Sequence, residues 1–534
     1  MSRLACFVRT RWAFLALGVL LLGGGVVLVV YWRQDPMIFV GRGIEASFKG
    51  NYDQAVYEYN RAIWRDPQCV LAYVNRGYAY SCRNDYDKAI ADFSEAIRLD
   101  PRLVAGYMDR GDSYRHKGEL DRAVADGDRA IQLSPFDPYV YYYQGLAYFD
   151  QGNNDRAIAD FTQAIHPEPK SVAGPTDATV KDRPTQGSEG KAGSTSVAEI
   201  DLDSVKPNYY RGLCYVNLGE YGKAIVDFTR TLQLDPKDGK AYAARGKAYG
   251  FLGDFDRAFG DLSRAIQLEP RNADAYTDRG DAYFKTGDPA AALADFSAAI
   301  RLNPRSAGAY NNRATVYNAE GDSDRAIADC NRALQLDPKL AEAYYDRALS
   351  YWAKGDSDRA IADCSEAIRL KPTYAQAYNN RSNAYSAKGD IDRALADANM
   401  SIQLNPQDAP AYNNRAGIRE AKGDHAGAIV DYTRAIAEFE QANPLDPRLA
   451  ETYVNRGLAG FHQGNGVQAI ADFSMAIEIN PKNADAYNSR GVAYGSTGDF
   501  PRAIADFTQA LRLNPQDANA QKNLAKAHAL SPQK

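Results

Sequence analysis

The chain has 534 residues, 63 of them Lys or Arg and 68 Asp or Glu, for a net charge of −5 at neutral pH. Nucleic-acid binders rely on a basic face, so this balance, with an isoelectric point near 5.7, points away from DNA and RNA. A chain of this length has room for several globular domains unless its pattern repeats.

Residues 1–11 are a short basic segment carrying Arg3, Arg9 and Arg11. Residues 12–32 read WAFLALGVLLLGGGVVLVVYW, 21 positions without a charge, long enough to cross a bilayer core as a helix. Trp12 at one end and Tyr31 and Trp32 at the other sit where interfacial aromatic belts are found. A cleaved signal peptide would carry a shorter apolar core followed by a small-residue cleavage site. Residues 12–32 are therefore expected to form a transmembrane signal anchor, making this a single-pass membrane protein. The preceding arginines put the N-terminus on the cytoplasmic side and the rest of the chain opposite, although Arg33, Arg42 and Lys49 oppose that bias.

From residue 36 the chain repeats. A proline closes each copy at Pro67, Pro101, Pro135 and Pro169, then at Pro236, Pro270, Pro304, Pro338, Pro372 and Pro406, and finally at Pro447, Pro481 and Pro515. Within each block the spacing is 34 residues, save one step of 41. Ala484 to Pro515 is the clearest copy. Tyr487, Gly491 and Tyr494 make one helical stripe, Gly498 and Asp499 suit a helix end and the next cap, and Ala503, Phe507 and Ala510 make a second stripe. Such a hairpin cannot bury its apolar faces alone and must stack on its neighbours.

This period, with Tyr, Gly, Tyr, Ala, Phe, Ala and Pro in these places, resembles the tetratricopeptide repeat (TPR). Thirteen copies cover nearly everything after residue 36. The resemblance implies an all-α, right-handed α-solenoid of about thirteen TPR hairpins, here with one N-terminal transmembrane helix. It also implies a concave groove, lined by the first helix of each hairpin, that binds peptides or protein segments.

Residues 36–169 make block one, with four repeats. In the third, Gly127 stands at the place of Phe507, so this repeat is expected to be weak: losing a core aromatic costs about 3–5 kcal/mol. Pro167 should end the second helix of repeat four early. Residues 170–204, rich in Gly, Pro, Ser and Thr and lacking the Tyr and Phe landmarks of a degraded repeat, are expected as a disordered insertion. Whether repeats four and five stack across it or are hinged stays open. The clusters Tyr142, Leu146, Phe149 and Tyr209, Leu213, Val216 on its two sides are expected to form a seam. Residues 205–515 make block two, with nine repeats; repeat eleven carries seven extra residues, two helical turns that should lengthen its second helix. Residues 516–534 supply a capping helix and tail.

One departure from the common TPR pattern recurs. An arginine stands at the place of Arg490 in every repeat from Arg42 to Arg456 except the fourth, which has Gln144. An aspartate recurs at the place of Asp506, with Glu58 in the first repeat. These are expected to form a ladder of partly buried, bidentate pairs joining the two helices of each hairpin.

Groove-facing places correspond to Asn488, Val492 and Gly495. In repeat eight they hold Asn311, Thr315 and Asn318, in repeat nine Tyr345, Leu349 and Trp352, and in repeat ten Asn379, Asn383 and Ser386. Asparagine amides can bridge the N–H and C=O groups of an extended peptide without reading its side chains. Asn312, Asn380, Asn414 and Asn455 extend a pattern that resembles the asparagine ladder of O-GlcNAc transferase. An apolar patch between polar ones can receive an anchor residue. The competing reading is that the Tyr-Leu-Trp stripe packs against adjacent helices and the asparagines are merely solvated. The expected peptide site is Asn311, Asn312, Asn318, Tyr345, Leu349, Trp352, Asn379, Asn380, Asn383 and Asn414. The lysine with which chaperone-binding TPRs hold a C-terminal carboxylate is missing at the place of Asn488 in all thirteen repeats, which argues against Hsp70 or Hsp90 tails.

Nothing points to catalysis or a cofactor. His116, His166, His425, His462 and His528 are scattered and show no metal-ligand spacing. Cys330 and Cys364 recur at the place of Phe507, which reads as buried thiol, while Cys69 and Cys82 lie too far apart along a helix to bridge. The reading is a membrane-anchored, non-enzymatic scaffold that binds a protein or peptide of unknown identity. The alternative is a structural accessory subunit of an enzyme or of a secretion or assembly complex.

Overall fold

The computed structural model describes residues 16–22, 25–31, 35–166, 197–443 and 446–531. From Pro36 to Leu530 every regular element among them is a helix, and the helices come as hairpins in the expected register. Repeat eight is representative, pairing Ala307–Ala319 with Ser323–Leu336. Its second helix starts where the Asp322 carboxylate accepts the Arg325 N–H at 3.0 Å, satisfying a donor the helix leaves unpaired. Between the two helices Gly321 takes a φ of 78°, where a Cβ would be strained. Twelve of the hairpins turn through such a glycine; repeat two uses Asn84 at φ 59°.

The chain divides into two compact units, Met1–Pro270 and Arg271–Lys534. Within each, a helix touches the helices before and after it, and the first helices of successive repeats also touch, forming one continuous face. The core of a hairpin is a matched pair. In seven repeats a glycine of the first helix lies against an aromatic ring of the second: a Cβ on Gly491 would sit 2.7 Å from the Phe507 ring. In repeats eight and nine the first helix has Ala314 and Ala348 instead, and the second has the smaller Cys330 and Cys364, all buried. Burial pushes the thiols of both cysteines well up, and all described cysteines are free.

The arginine–aspartate ladder is present in eleven repeats. In each, Nε and Nη2 of the arginine donate to the two carboxylate oxygens, as from Arg76 to Asp92 at 2.7 and 2.6 Å and from Arg490 to Asp506 at 2.8 and 2.9 Å. The guanidinium also reaches a third helix. Nη1 donates to a polar side chain on the second helix of the preceding repeat, such as Ser94 for Arg110, Asn331 for Arg347 and Ser474 for Arg490. The first repeat departs from expectation: Glu58 is bound by Gln54 and Arg61 of its own helix, and Arg42 is exposed. The longer glutamate finds partners locally, and no earlier repeat stands behind Arg42 to hold it.

The weak third repeat is also corrected. The space left by Gly127 is filled by the Gln144 side chain, whose Cβ lies 2.9 Å from where a Cβ on Gly127 would be. The Gln144 Nε2 donates to Asp128 at 2.7 Å and to the Val124 carbonyl at 3.3 Å. The two departures from the pattern, Gly127 and Gln144, thus compensate each other.

Repeats four and five stack directly. The ring of Tyr210 lies 6.2 Å from Tyr142, 5.7 Å from Phe149 and 5.9 Å from Phe161, and Arg211 donates across the junction to Thr162 at 3.1 Å. Of the insertion expected at 170–204, residues 170–196 lie outside the described residues; from Val197 the chain is helical to Asn217. The second helix of repeat four is short, Asn154–Ile165, and that of repeat eleven long, His425–Ala442, as expected. The closing helix Ala518–Leu530 places Ala527 and Leu524 on the last hairpin.

The N-terminal helix is not formed in the described residues. Ala16–Leu22 and Gly25–Tyr31 are instead two antiparallel strands, with Ala16 paired to Tyr31 and Leu22 to Gly25. Valines at 26, 27, 29 and 30 favour extended backbone, and an uncharged run alone does not tell strand from helix. Among the described residues no helix is long and apolar enough to cross a membrane. Residues 1–11 lie outside them.

Candidate functional site

Along the face made by the first helices of repeats eight to eleven, the expected site residues fall into three groups. Some are consumed by contacts between repeats. Asn318 Nδ2 donates to the Asp346 carbonyl at 2.8 Å and its Oδ1 accepts from Ser350 at 2.5 Å. Asn414 Nδ2 donates to Asn379 Oδ1 at 3.0 Å, so these two amides hold each other. The same link recurs at the chain's end, where Asn523 donates to Asn488 at 3.1 Å.

Others form an apolar step. Tyr345 is largely buried, its ring 4.9 Å from that of Tyr374, and burial raises its hydroxyl to about 12. Leu349 is half-buried and Trp352 is 40% exposed, leaving an indole face available to a partner.

The third group is polar and incompletely satisfied. Asn311 Oδ1 and Asn413 Oδ1 are buried without a hydrogen-bond partner, and the Asn380 amide lies against the Tyr345 hydroxyl. Asn312 and Asn383 are half-buried on the same helices. A buried polar group left unpaired costs about 1–3 kcal/mol, so the amides with room to meet a ligand are the half-buried Asn312 and Asn383.

Sequence reasoning missed Asp346, Tyr374 and Asn413. Asp346 is buried between repeats eight and nine, accepting from Thr315 Oγ1 at 2.7 Å, and burial raises its carboxyl to about 6. Tyr374 stands at a helix N-cap where sibling repeats have Asn, Asp or Ser, a signal the sequence did carry. Further along the face, a cavity of about 550 Å³ opens at repeats twelve and thirteen, lined by Val454, Asn455, Leu458, Asn488 and Ser489 among others. Two histidines that look scattered in sequence, His425 and His462, meet at Glu420.

Stacked helical hairpins with a continuous first-helix face define an interaction scaffold of the repeat class. Family models described as tetratricopeptide repeat match residues 70–103, 206–238, 243–299, 277–341, 341–374, 379–447 and 484–517, with 139–171 matched by another of that description. A model described as TPR repeat matches 111–152 and 461–498. The chain belongs to the tetratricopeptide repeat family. No curated protein matches its sequence. Among solved structures, a chain of the APC/C hetero-tetramer Cut9-Hcn1 is similar at a TM-score of 0.53 and 16% identity, covering 92% of this chain and 98% of that one. Yeast Tom70 is similar at 0.32 and 18%, covering 93% and 95%. A tetratricopeptide repeat protein from Parabacteroides merdae is similar at 0.37 and 20%, covering 48% and 98%. At 16% identity the likeness to the Cut9-Hcn1 chain is one of fold.

Proposed function

We propose that this protein is a non-enzymatic scaffold that takes up an extended segment of a protein partner along the first helices of repeats eight to eleven. The observation that carries this reading is the exposed indole of Trp352, with the half-buried amides of Asn312 and Asn383 on the first helices to either side. Side-chain amides suit a peptide's own N–H and C=O groups, and the Trp352 face suits one apolar anchor. Partner choice would rest on that anchor, since amide contacts to a peptide backbone are blind to its sequence. The test is a pull-down with the full chain, comparing wild type with Trp352→Ala and with Asn312→Ala/Asn383→Ala. Loss of a partner in both variants, with circular dichroism unchanged, supports groove binding. A stable complex indifferent to both supports the second reading, a structural accessory subunit, which the fold likeness to a chain of a hetero-tetramer favours.

Membrane attachment belongs to this proposal on the strength of composition alone: residues 12–32 carry no charge over 21 positions. In this reading residues 12–32 cross a bilayer once as a helix, in place of the strands Ala16–Leu22 and Gly25–Tyr31, with the repeats opposite the cytoplasmic N-terminus. Recovery of the full chain in the membrane fraction after alkaline wash, and its release when 12–32 is deleted, is the expected result. Protease protection of the repeats in sealed vesicles decides the side.

A further inference from the structure

Three side chains from three helices converge where repeat eleven meets repeat twelve. Glu420 lies in the last turn of Ala409–Lys422, His425 is the first residue of His425–Ala442, and His462 is the last residue of Pro447–His462. His425 Nδ1 is 2.9 Å from Glu420 Oε1, and His462 Nδ1 is 3.5 Å from Oε2 of the same carboxylate. All three donor atoms lie within 4.8 Å of one another.

The array's architecture explains how two rings come to meet there. The first residue of a second helix faces the end of the next repeat's first helix, and at two other junctions this contact is a parallel stack. Tyr86 lies on His116 at 5.2 Å and 9°, and Tyr221 on Phe251 at 4.7 Å and 12°. Between repeats eleven and twelve both rings are imidazoles, 5.4 Å apart, and they are tilted to 51° with each Nδ1 turned to Glu420. The neighbouring Arg419 does not claim this carboxylate: its Nη1 is 2.9 Å from Asp431 Oδ2 and donates to the Gly427 carbonyl at 2.9 Å.

We propose that Glu420, His425 and His462 bind a divalent cation of the zinc type and so clamp repeat eleven to repeat twelve. Two imidazole nitrogens and one carboxylate suit zinc, whereas calcium and magnesium prefer all-oxygen sets. Tetrahedral zinc with bonds near 2.1 Å spaces its ligands by about 3.4 Å; the imidazole–carboxylate separations of 2.9 and 3.5 Å lie near that, and with all donors within 4.8 Å the rest need close by no more than about 1.4 Å. Three protein ligands leave a fourth position for water. The clamp falls at the junction where the repeat spacing steps from 34 to 41 and the second helix runs to 18 residues. It therefore secures the join that departs most from the regular stack, and it does so whatever occupies the first-helix face.

The full chain, stripped with chelator, is titrated with Zn²⁺ by calorimetry and with Co²⁺ as an optical probe. Wild type is expected to take up one Zn²⁺ per chain, to show visible Co²⁺ absorption typical of a four-coordinate site, and to melt at higher temperature with Zn²⁺ than without. The variant His425→Tyr/His462→Phe copies the Tyr221–Phe251 stack, so it should fold as the metal-free protein does and bind no metal. Failure of wild type to bind Zn²⁺ at micromolar concentrations, or equal binding by the double variant, overturns the site. Should the double variant not fold, Glu420→Gln decides: weakened Zn²⁺ binding supports the site and unchanged binding overturns it.

Discussion

Arg313 grips Asp329 with two parallel hydrogen bonds, Nε to Oδ2 at 2.7 Å and Nη2 to Oδ1 at 2.9 Å, and turns Nη1 back to Ser297 of the preceding repeat at 3.1 Å. Donating to Asp329 holds the guanidinium pKa above its usual value, so Arg313 stays charged. With both side chains mostly buried, removing one partner strands the other. Arg313→Ala and Asp329→Ala should each cost about 3–5 kcal/mol, and Arg313→Leu/Asp329→Leu distinctly less, because the paired substitution leaves no orphan charge. Urea unfolding checks this; single costs below about 1 kcal/mol would assign these charges to the solvated surface.

Gly491 and Phe507 make a second paired prediction. Gly491→Ala forces a Cβ to within 2.7 Å of the ring and should cost about 1–3 kcal/mol. Adding Phe507→Cys recreates the Ala314–Cys330 pairing of repeat eight and should recover part of that loss. If the double variant is no more stable than Gly491→Ala alone in thermal melts, the size-matching account fails.

Asp346 sets a pH dependence. Its carboxyl titrates at about 6 in the fold against 3.8 unfolded, mainly because of burial. A raised folded pKa means the native state binds the proton more tightly, so stability drops as pH rises through the window between those values and stays lower above it. The full penalty is on the order of 3 kcal/mol. Asp346→Asn keeps an acceptor for Thr315 and removes the titration. Its stability advantage over wild type should grow from pH 4 to pH 7; a constant difference across that range would show that Asp346 does not titrate there.

The seam formed by Tyr210 predicts how the chain behaves when cut. Because repeats four and five stack through this ring, cleavage within 170–196 should leave two fragments that migrate together on gel filtration under native conditions. Tyr210→Ala, expected to cost about 3–5 kcal/mol, should let them separate. Separation of the wild-type fragments would mean the seam is not what joins them.

Little of this required guesswork at the level of a single hairpin. The 34-residue period, the two apolar stripes, the glycine turn and the Arg–Asp pair all lie within one repeat, where partners such as Arg490 and Asp506 are 16 residues apart and the hairpin alone brings them together. What a repeat does to its neighbour was not legible in this way. Asn414 finds Asn379 and Asn523 finds Asn488, each 35 residues away, which turns amides expected to await a peptide into links between repeats. Gln144 fills the space beside Gly127, Tyr210 closes the junction across the insertion, and His462 reaches Glu420 from 42 residues away. Apolar character also pointed to one spanning helix at 12–32, where the fold has two strands, because an uncharged run is compatible with either. The physical reason is range. The sequence by itself determined the hairpin, since local periodicity dictates which faces must be buried; the tertiary structure alone decided which side chains meet between hairpins, since that depends on how far each repeat rotates and advances on the last.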